Sequence, residues 1–336
     1  TGVFMSDIEK KPLVTDLYTA DPSAHVFNGK IYIYPSHDRD IDVENNDNGD
    51  QYDMTDYHVY EMDNDPNIKP KDFTMPRDCG KVLDLKDIPW ASKQVWAPDC
   101  VEKDGKYYFV FPARDKNGFF RIGIAIGDNP AGPFKAEPNY IEGSYSIDPC
   151  MFPDTDGKYY LTFGGIWGGQ LDKYRNNIYD EKNNEPEGDT PAVCPKIALM
   201  KDNMKEIAEE PKDLVIVDEN GKPLTGGDHD RRYFEDPWLF KKGDTYYFTY
   251  STGDTHFLNW ATSKNVYGPY TFGGKILTPV LGWTTHHSIL EYNGKWYLFY
   301  HDCELSNGIN QKRNVKFREL KFDENGAIIT MDGMER

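Results

Sequence analysis

Short runs in which aromatic and β-branched residues crowd together recur along the chain as KIYIYPS, KYYFVFP, KYYLTFG, TYYFTYS and KWYLFYH. Each follows a glycine-bearing turn signal, NGK, DGK, DGK, KGD and NGK in that order. A strand, a glycine turn and a second strand is the pattern of a β-hairpin. Helix periodicity is nearly absent. The hairpin is also a repeat. DPSAHVFNGKIYIY from Asp21, DCVEKDGKYYFVF from Asp99, DPCMFPDTDGKYYLTF from Asp148, DPWLFKKGDTYYFTY from Asp236 and HSILEYNGKWYLFY from His287 align on their turn glycines. Those glycines, Gly29, Gly105, Gly157, Gly243 and Gly294, recur at intervals that suit one four-stranded sheet each, with variable loops. YHVYEM, RIGIAIG, KIALMK and NWATSK supply further strands between them. A β-sandwich would not explain five copies of one hairpin. The pattern predicts an all-β, five-bladed β-propeller, in which radial closure leaves few exposed strand edges.

Composition narrows the partners. The 336 residues are 38% hydrophobic and 14% aromatic, too rich in rings for a disordered chain. Formal net charge is -18, from 56 Asp+Glu against 38 Lys+Arg. Such a chain repels phosphates, which argues against nucleic acid and membrane surfaces as partners. A neutral ligand such as a small oligosaccharide remains. The five cysteines, Cys79, Cys100, Cys150, Cys194 and Cys303, are scattered without a CxxC pair. That argues against a disulfide framework or a zinc site. It favours a reduced, cytoplasmic setting, with a secreted or periplasmic one if a signal peptide has been removed. Met5 is a candidate native start, with Thr1 to Phe4 as a foreign leader, and a removed signal peptide would leave a similar beginning.

In a propeller the first strand of each blade lines the central channel. The repeats therefore bring Asp21, Asp99, Asp148, Glu235 with Asp236, and His286–His287 towards one small space. Asp-Pro is also a common turn starter, so its three copies read equally as blade punctuation. Glu235, placed before Asp236-Pro237 in RRYFEDPW, has no such scaffold role. Three polar insertions, Asp38 to Asp56, Leu171 to Asp189 and Asp218 to Arg232, read as surface loops that either frame the cavity or merely decorate the surface.

TADPSAHVFNGKIYIY, VWAPDCVEKDGKYYFVF, SIDPCMFPDTDGKYYLTF, YFEDPWLFKKGDTYYFTYS and HHSILEYNGKWYLFYH, with the NPAGPF and VYGPY turns, together resemble glycoside hydrolase family 43. The resemblance covers about residues 15 to 330. It implies one catalytic propeller over residues 1–336 without an appended β-sandwich. It also implies an inverting exo-glycosidase that releases xylose from β-1,4-xylo-oligosaccharides and arabinose from α-L-arabinofuranosides. Carried over by motif, Asp21 matches the general base, Glu235 the general acid, and Asp148 the third carboxylate, which positions the acid and raises its pKa. Asp236 departs from the small residue expected after the acid, and is expected to point away.

The resemblance also implies that Trp96 forms an apolar wall against the sugar and that Arg313 reaches the substrate. Ser36, His37 and Asp38 are expected at the pocket rim. His286 is expected on the channel axis beside a metal ion, for which a water-rich Ca2+ suits a single imidazole best. Strand alternation lets only one of His286 and His287 face the channel. An arabinan-directed arabinanase or arabinofuranosidase is the alternative within the class. A non-catalytic sugar-binding or protein-interaction propeller is the alternative outside it.

Overall fold

A computed structural model describes residues 2–63 and 73–336. Among the described residues, helix is confined to one four-residue turn, Met5–Ile8, and a few single 3₁₀ turns. Their remainder is sheet and loop.

Five antiparallel blades follow one another along the chain. Blade I is built from Tyr18–Phe27, Lys30–Asp38, Asp56–Met62 and Arg77–Asp84. Asp99–Lys103, Lys106–Asp115, Phe120–Gly127 and Lys135–Ala136 make blade II, and Ala91–Lys93 also pairs with its second strand. Blade III contains Cys150–Pro153, Tyr159–Phe163, Lys196–Leu199 and Lys212–Asp213. In blade IV the strands are Glu235–Lys242, Thr245–Ser251, Leu258–Ser263 and Tyr270–Leu277, with Ile216–Val217 parallel to the last. Blade V has three strands, His287–Tyr292, Lys295–Asp302 and Asn314–Leu320. The N-terminal segment closes the circle on its outer edge. Lys10 N donates to Phe317 O and Leu13 N to Val315 O, both at 2.9 Å.

Turn chemistry explains why the hairpin repeats. Asn28-Gly29, Asp104-Gly105 and Asn293-Gly294 have positive φ at both residues, the type I′ geometry that matches strand twist. At Gly243 only the first turn residue has positive φ, as in a type II′ turn. The aromatic faces of the strands then fill the spaces between blades. Tyr57, Phe109 and Phe111 pack between blades I and II, and Phe163, Leu239 and Phe248 between III and IV. Leu298 and Trp238 join IV to V, and Ile33, Phe299 and Phe317 join V to I. Burying a large apolar side chain contributes roughly 1.5–3 kcal/mol, so the ring of interfaces outweighs any single hairpin.

Candidate active site

The inner strands are distorted where they approach the axis. In blade I the register slips between Ala20 and Ser23, and in blade IV between Glu235 and Trp238. Each slip places an Asp-Pro pair opposite one partner residue, a β-bulge. Asp21, Asp148 and Asp236 stand at φ 52°, 58° and 67°. A residue before proline ordinarily avoids compact backbone conformations. Left-handed geometry is also costly for most side chains and tolerated best by Asn and Asp. The Asp-Pro pairs are therefore punctuation, and the same punctuation turns these carboxylates inward. Asp99 is followed by Cys100 and is absent from the positive-φ positions. Its carboxylate accepts from Met151 N at 2.7 Å and meets His25 Nε2 at 2.5 Å. Asp99 ties the inner strands of blades I, II and III together and does not line the cavity.

The cavity, of ≈ 280 Å³, is lined by Asp21, Asp148, Glu235, Trp96, His286 and Arg313 among others. It lies at the small end of ligand pockets, which run about 300–1,000 Å³. The insertion after Asp38 forms one wall through Asn45, Asn46, Asp47, Gly49, Gln51 and Tyr52. Gly49 (φ +80°) lies flat on the Trp96 ring, where a Cβ would come within 2.6 Å. Trp96 itself is both wall and core. Its Nε1 donates to Tyr52 O at 2.8 Å and its ring packs on Phe120. A further part of the wall is a cluster of Trp167, Phe234 and Trp283, whose ring centroids lie 5.0–5.8 Å apart. Glu185, from the second insertion, accepts from Trp167 Nε1 at 2.9 Å. Arg232, at the end of the third, holds Glu185 and Asp254. All three insertions thus serve the walls.

Arg313 is buried and fully engaged. Its Nε and Nη2 fork onto Asp38 at 2.8 and 2.9 Å, while Nη1 donates to Asp21 Oδ1 at 3.2 Å. Ser36 Oγ donates to Asp21 Oδ2 at 2.5 Å, and Asp21 N donates to His301 Nδ1 at 3.0 Å. Burial alone would raise the Asp21 pKa. Arg313, with His286, His301 and the Ser36 hydroxyl, outweighs it and holds Asp21 well below the usual carboxylate range.

Glu235 goes the other way. Burial, then the charge of Asp21, pushes it up to about 8 against the opposing pull of Arg313. Asp148 is also pushed well up, by burial and then by Glu235, although Asp236 N donates to its Oδ2 at 3.0 Å. The raised acid is therefore chiefly an effect of burial and then of Asp21, and Asp148 is itself raised beside Glu235. One cavity thus holds an ionised carboxylate and a protonated one.

Asp236 points to the histidines beneath the cavity. Its Oδ1 lies 3.0 Å from His286 Nε2, and its Oδ2 contacts His287 Nδ1. His286 reaches the cavity, with Nδ1 3.3 Å from Asp21 Oδ1. His287 turns to Asp236 and Thr249 instead. Burial drives the His286 pKa down to about 4, so the ring is neutral at neutral pH. His37 corrects an expectation. Ser36 and Asp38 face Asp21 and Arg313, so alternation sends His37 to the other face of the strand, where it meets Asp56. His37 does not line the cavity. Sequence reasoning also missed Tyr52, Trp167, Trp283 and His301. Glycines around Trp167 in GGIWGG, and Gly282 before Trp283, were the available signals of exposed loop aromatics.

A protonated and an ionised carboxyl group facing one aromatic-walled, sugar-sized cavity define an acid–base glycosidase on a five-bladed propeller. The sequence profile of glycosyl hydrolases family 43 matches residues 12–328. The chain is 57% identical over 327 residues to xylosidase/arabinosidase 43A of Humicola insolens, covering 95% of this chain and 98% of that protein. A β-xylosidase of Xylanibacter ruminicola is 51% identical over 314 residues, with 94% and 97% covered. A solved β-xylosidase/α-arabinofuranosidase from a compost microbial metagenome, in complex with xylotriose and in a calcium-free form, superposes with a TM-score of 0.91. It shares 55% identity, over 97% of this chain and 98% of that one. The chain belongs to glycoside hydrolase family 43.

Proposed function

We propose that this glycoside hydrolase is an inverting exo-enzyme that removes xylose from the ends of β-1,4-xylo-oligosaccharides and also releases arabinose from α-L-arabinofuranosides. The opposite pKa shifts of Asp21 and Glu235 within one cavity carry this reading. Asp21, ionised, takes a proton from a water molecule that attacks the anomeric carbon. Glu235, protonated, gives its proton to the departing oxygen. Inversion needs this division of labour, with water between the two groups. Asp148 holds the acid in place beside Asp236 N, and Arg313 keeps the base ionised. Trp96, Tyr52, Trp167 and Trp283 in the cavity wall offer apolar faces to a sugar ring. The small volume and the inserted walls favour a chain end over the middle of a polymer. The xylosidase and arabinosidase names of the relatives support both sugars. The five cysteines are all free, which supports a reducing, cytoplasmic setting.

A calcium ion on the channel axis belongs to the same reading. A neutral imidazole carries one N–H, yet both His286 nitrogens face carboxylates, Asp236 at 3.0 Å and Asp21 at 3.3 Å. If Nε2–H serves Asp236, the Nδ1 lone pair meets an ionised oxygen, and a cation there would relieve the conflict. His286 would be its protein donor, with waters completing a shell of 6–8 ligands. Bound calcium would supply a fixed positive charge against the crowded carboxylates.

Initial rates on nitrophenyl β-xyloside, nitrophenyl α-arabinofuranoside, xylobiose and linear arabinan test the assignment. Turnover of the first three with little on arabinan is expected. Preference for arabinan would make the enzyme arabinan-directed.

A further inference from the structure

The face of blade I opposite the catalytic residues carries a second chemical cluster. Asp56 and His58 are two residues apart on one strand, so they share a face, and His37 lies on the neighbouring strand. His37 Nδ1 stands 2.6 Å from Asp56 Oδ1. His58 Nε2 faces Asp56 Oδ2 across 3.9 Å, too far for a hydrogen bond. The other nitrogen of His58, Nδ1, is held by both oxygens of Asp78 at 3.1 and 3.2 Å. The two imidazoles meet edge to face at 5.2 Å. One donor atom from each of His37, Asp56 and His58 lies within 4.8 Å of the others, and all three residues are half-buried.

We propose that His37, Asp56 and His58 bind a divalent transition-metal ion, zinc by donor type. Two imidazoles and a carboxylate suit zinc, whereas calcium wants an oxygen shell. Zinc bonds of 2.0–2.2 Å place tetrahedral donors about 3.3 Å apart. The His37–Asp56 and His58–Asp56 separations, 2.6 and 3.9 Å to the two oxygens of Asp56, fall on either side of that spacing, and one donor of each residue already lies within 4.8 Å of the others. Asp78 already does what an outer carboxylate does in such centres. It fixes one ring nitrogen and leaves the other aimed at the ion. A half-buried position leaves the fourth site to water.

The placement gives the ion a task. His37 and Asp56 sit at the two ends of the insertion that supplies Asn45 to Tyr52 to the cavity wall. His37 also lies between Ser36 and Asp38, which hold Asp21 and Arg313. A metal here closes the base of that loop and stiffens the strand behind the general base.

Metal-stripped enzyme titrated with zinc chloride by calorimetry and thermal scanning tests the proposal. One ion per chain should bind, and a hundredfold excess over Kd should raise Tm by about 4 °C. The response should persist in His286→Ala, which separates it from the channel. It should be lost in His58→Ala and Asp56→Asn, and Asp78→Asn should weaken binding about 10–100-fold. Zinc should also slow proteolytic cutting within residues 39–51. If His58→Ala does not fold, His58→Asn and Asp56→Asn decide the question. Absence of zinc binding overturns the site, as does zinc binding that survives Asp56→Asn and disappears in His286→Ala.

Discussion

Arg313 Nη1 stands 3.2 Å from Asp21 Oδ1 across 292 residues of sequence. The contact joins the last blade to the first at the catalytic centre, and it sets the charge state of the base. Asp38 holds the same guanidinium from the other side through two parallel hydrogen bonds, the geometry that fixes an arginine most firmly.

Changing Arg313 should therefore act through Asp21. Arg313→Met should lift the Asp21 pKa towards the ordinary carboxylate range, so that kcat/KM acquires an acid limb there. Arg313→Lys keeps the charge without the fork and should move the limb less. Loss of one partner from a buried ion pair costs about 3–5 kcal/mol, so Arg313→Met should also unfold at lower denaturant concentration. A pH–rate profile unchanged by Arg313→Met would separate the arginine from the base.

The acid and base should respond differently to the leaving group. Asp21→Ala and Glu235→Ala should each lower kcat on xylobiose by at least about 10²–10⁴-fold. Aryl leaving groups that need no proton should rescue Glu235→Ala in part and leave Asp21→Ala inactive. Steady-state rates on a nitrophenol series provide the comparison, and rescue of Asp21→Ala with none of Glu235→Ala would reverse the roles.

The raised Glu235 carboxyl predicts two pH effects. Activity should fall on the basic side as Glu235 ionises near about 8. Between the ordinary value of 4.5 and about 8, the folded protein binds a proton that the unfolded chain does not. Stability must therefore decline as pH rises through that window. Glu235→Gln cannot ionise, so its Tm advantage over the unaltered enzyme should widen from about pH 5 to about pH 8. Parallel Tm curves would place the titration elsewhere.

Water attack without a covalent intermediate makes α-xylose the first product from a β-xyloside. Proton NMR within the first minutes of turnover reads the anomer before mutarotation. Early β-xylose would mean retention.

Chelation should lower kcat, and calcium should restore it in the unaltered enzyme but not in His286→Ala. Full activity after exhaustive chelation would leave His286 as a link between Asp21 and Asp236 only.

The repeated hairpin, its glycine turns and the Asp-Pro pairs were all legible in the chain, because each is a local device with a local cause. Asn-Gly at a type I′ turn or Asp-Pro at a bulge does the same thing in any context. Hence the five blades were legible in the chain itself, while the resemblance to glycoside hydrolase family 43 singled out Asp21, Asp148 and Glu235 among the carboxylates the repeats bring together. Direction was not legible. Asp99 lies on an inner strand as Asp21 does, yet without a following proline its carboxylate serves neighbouring blades. His37 lies between two residues of the site and faces away, because a strand alternates and only the packed sheet says which side is inward. Trp167 and Trp283 became walls through loops folded over the channel, a placement fixed by contacts between segments far apart in sequence. The pKa values were decided in the same way. The chemistry of a carboxyl group is local, but its burial and its charged neighbours, Arg313 beside Asp21 and an apolar enclosure around Glu235, exist only once the ring of blades has closed.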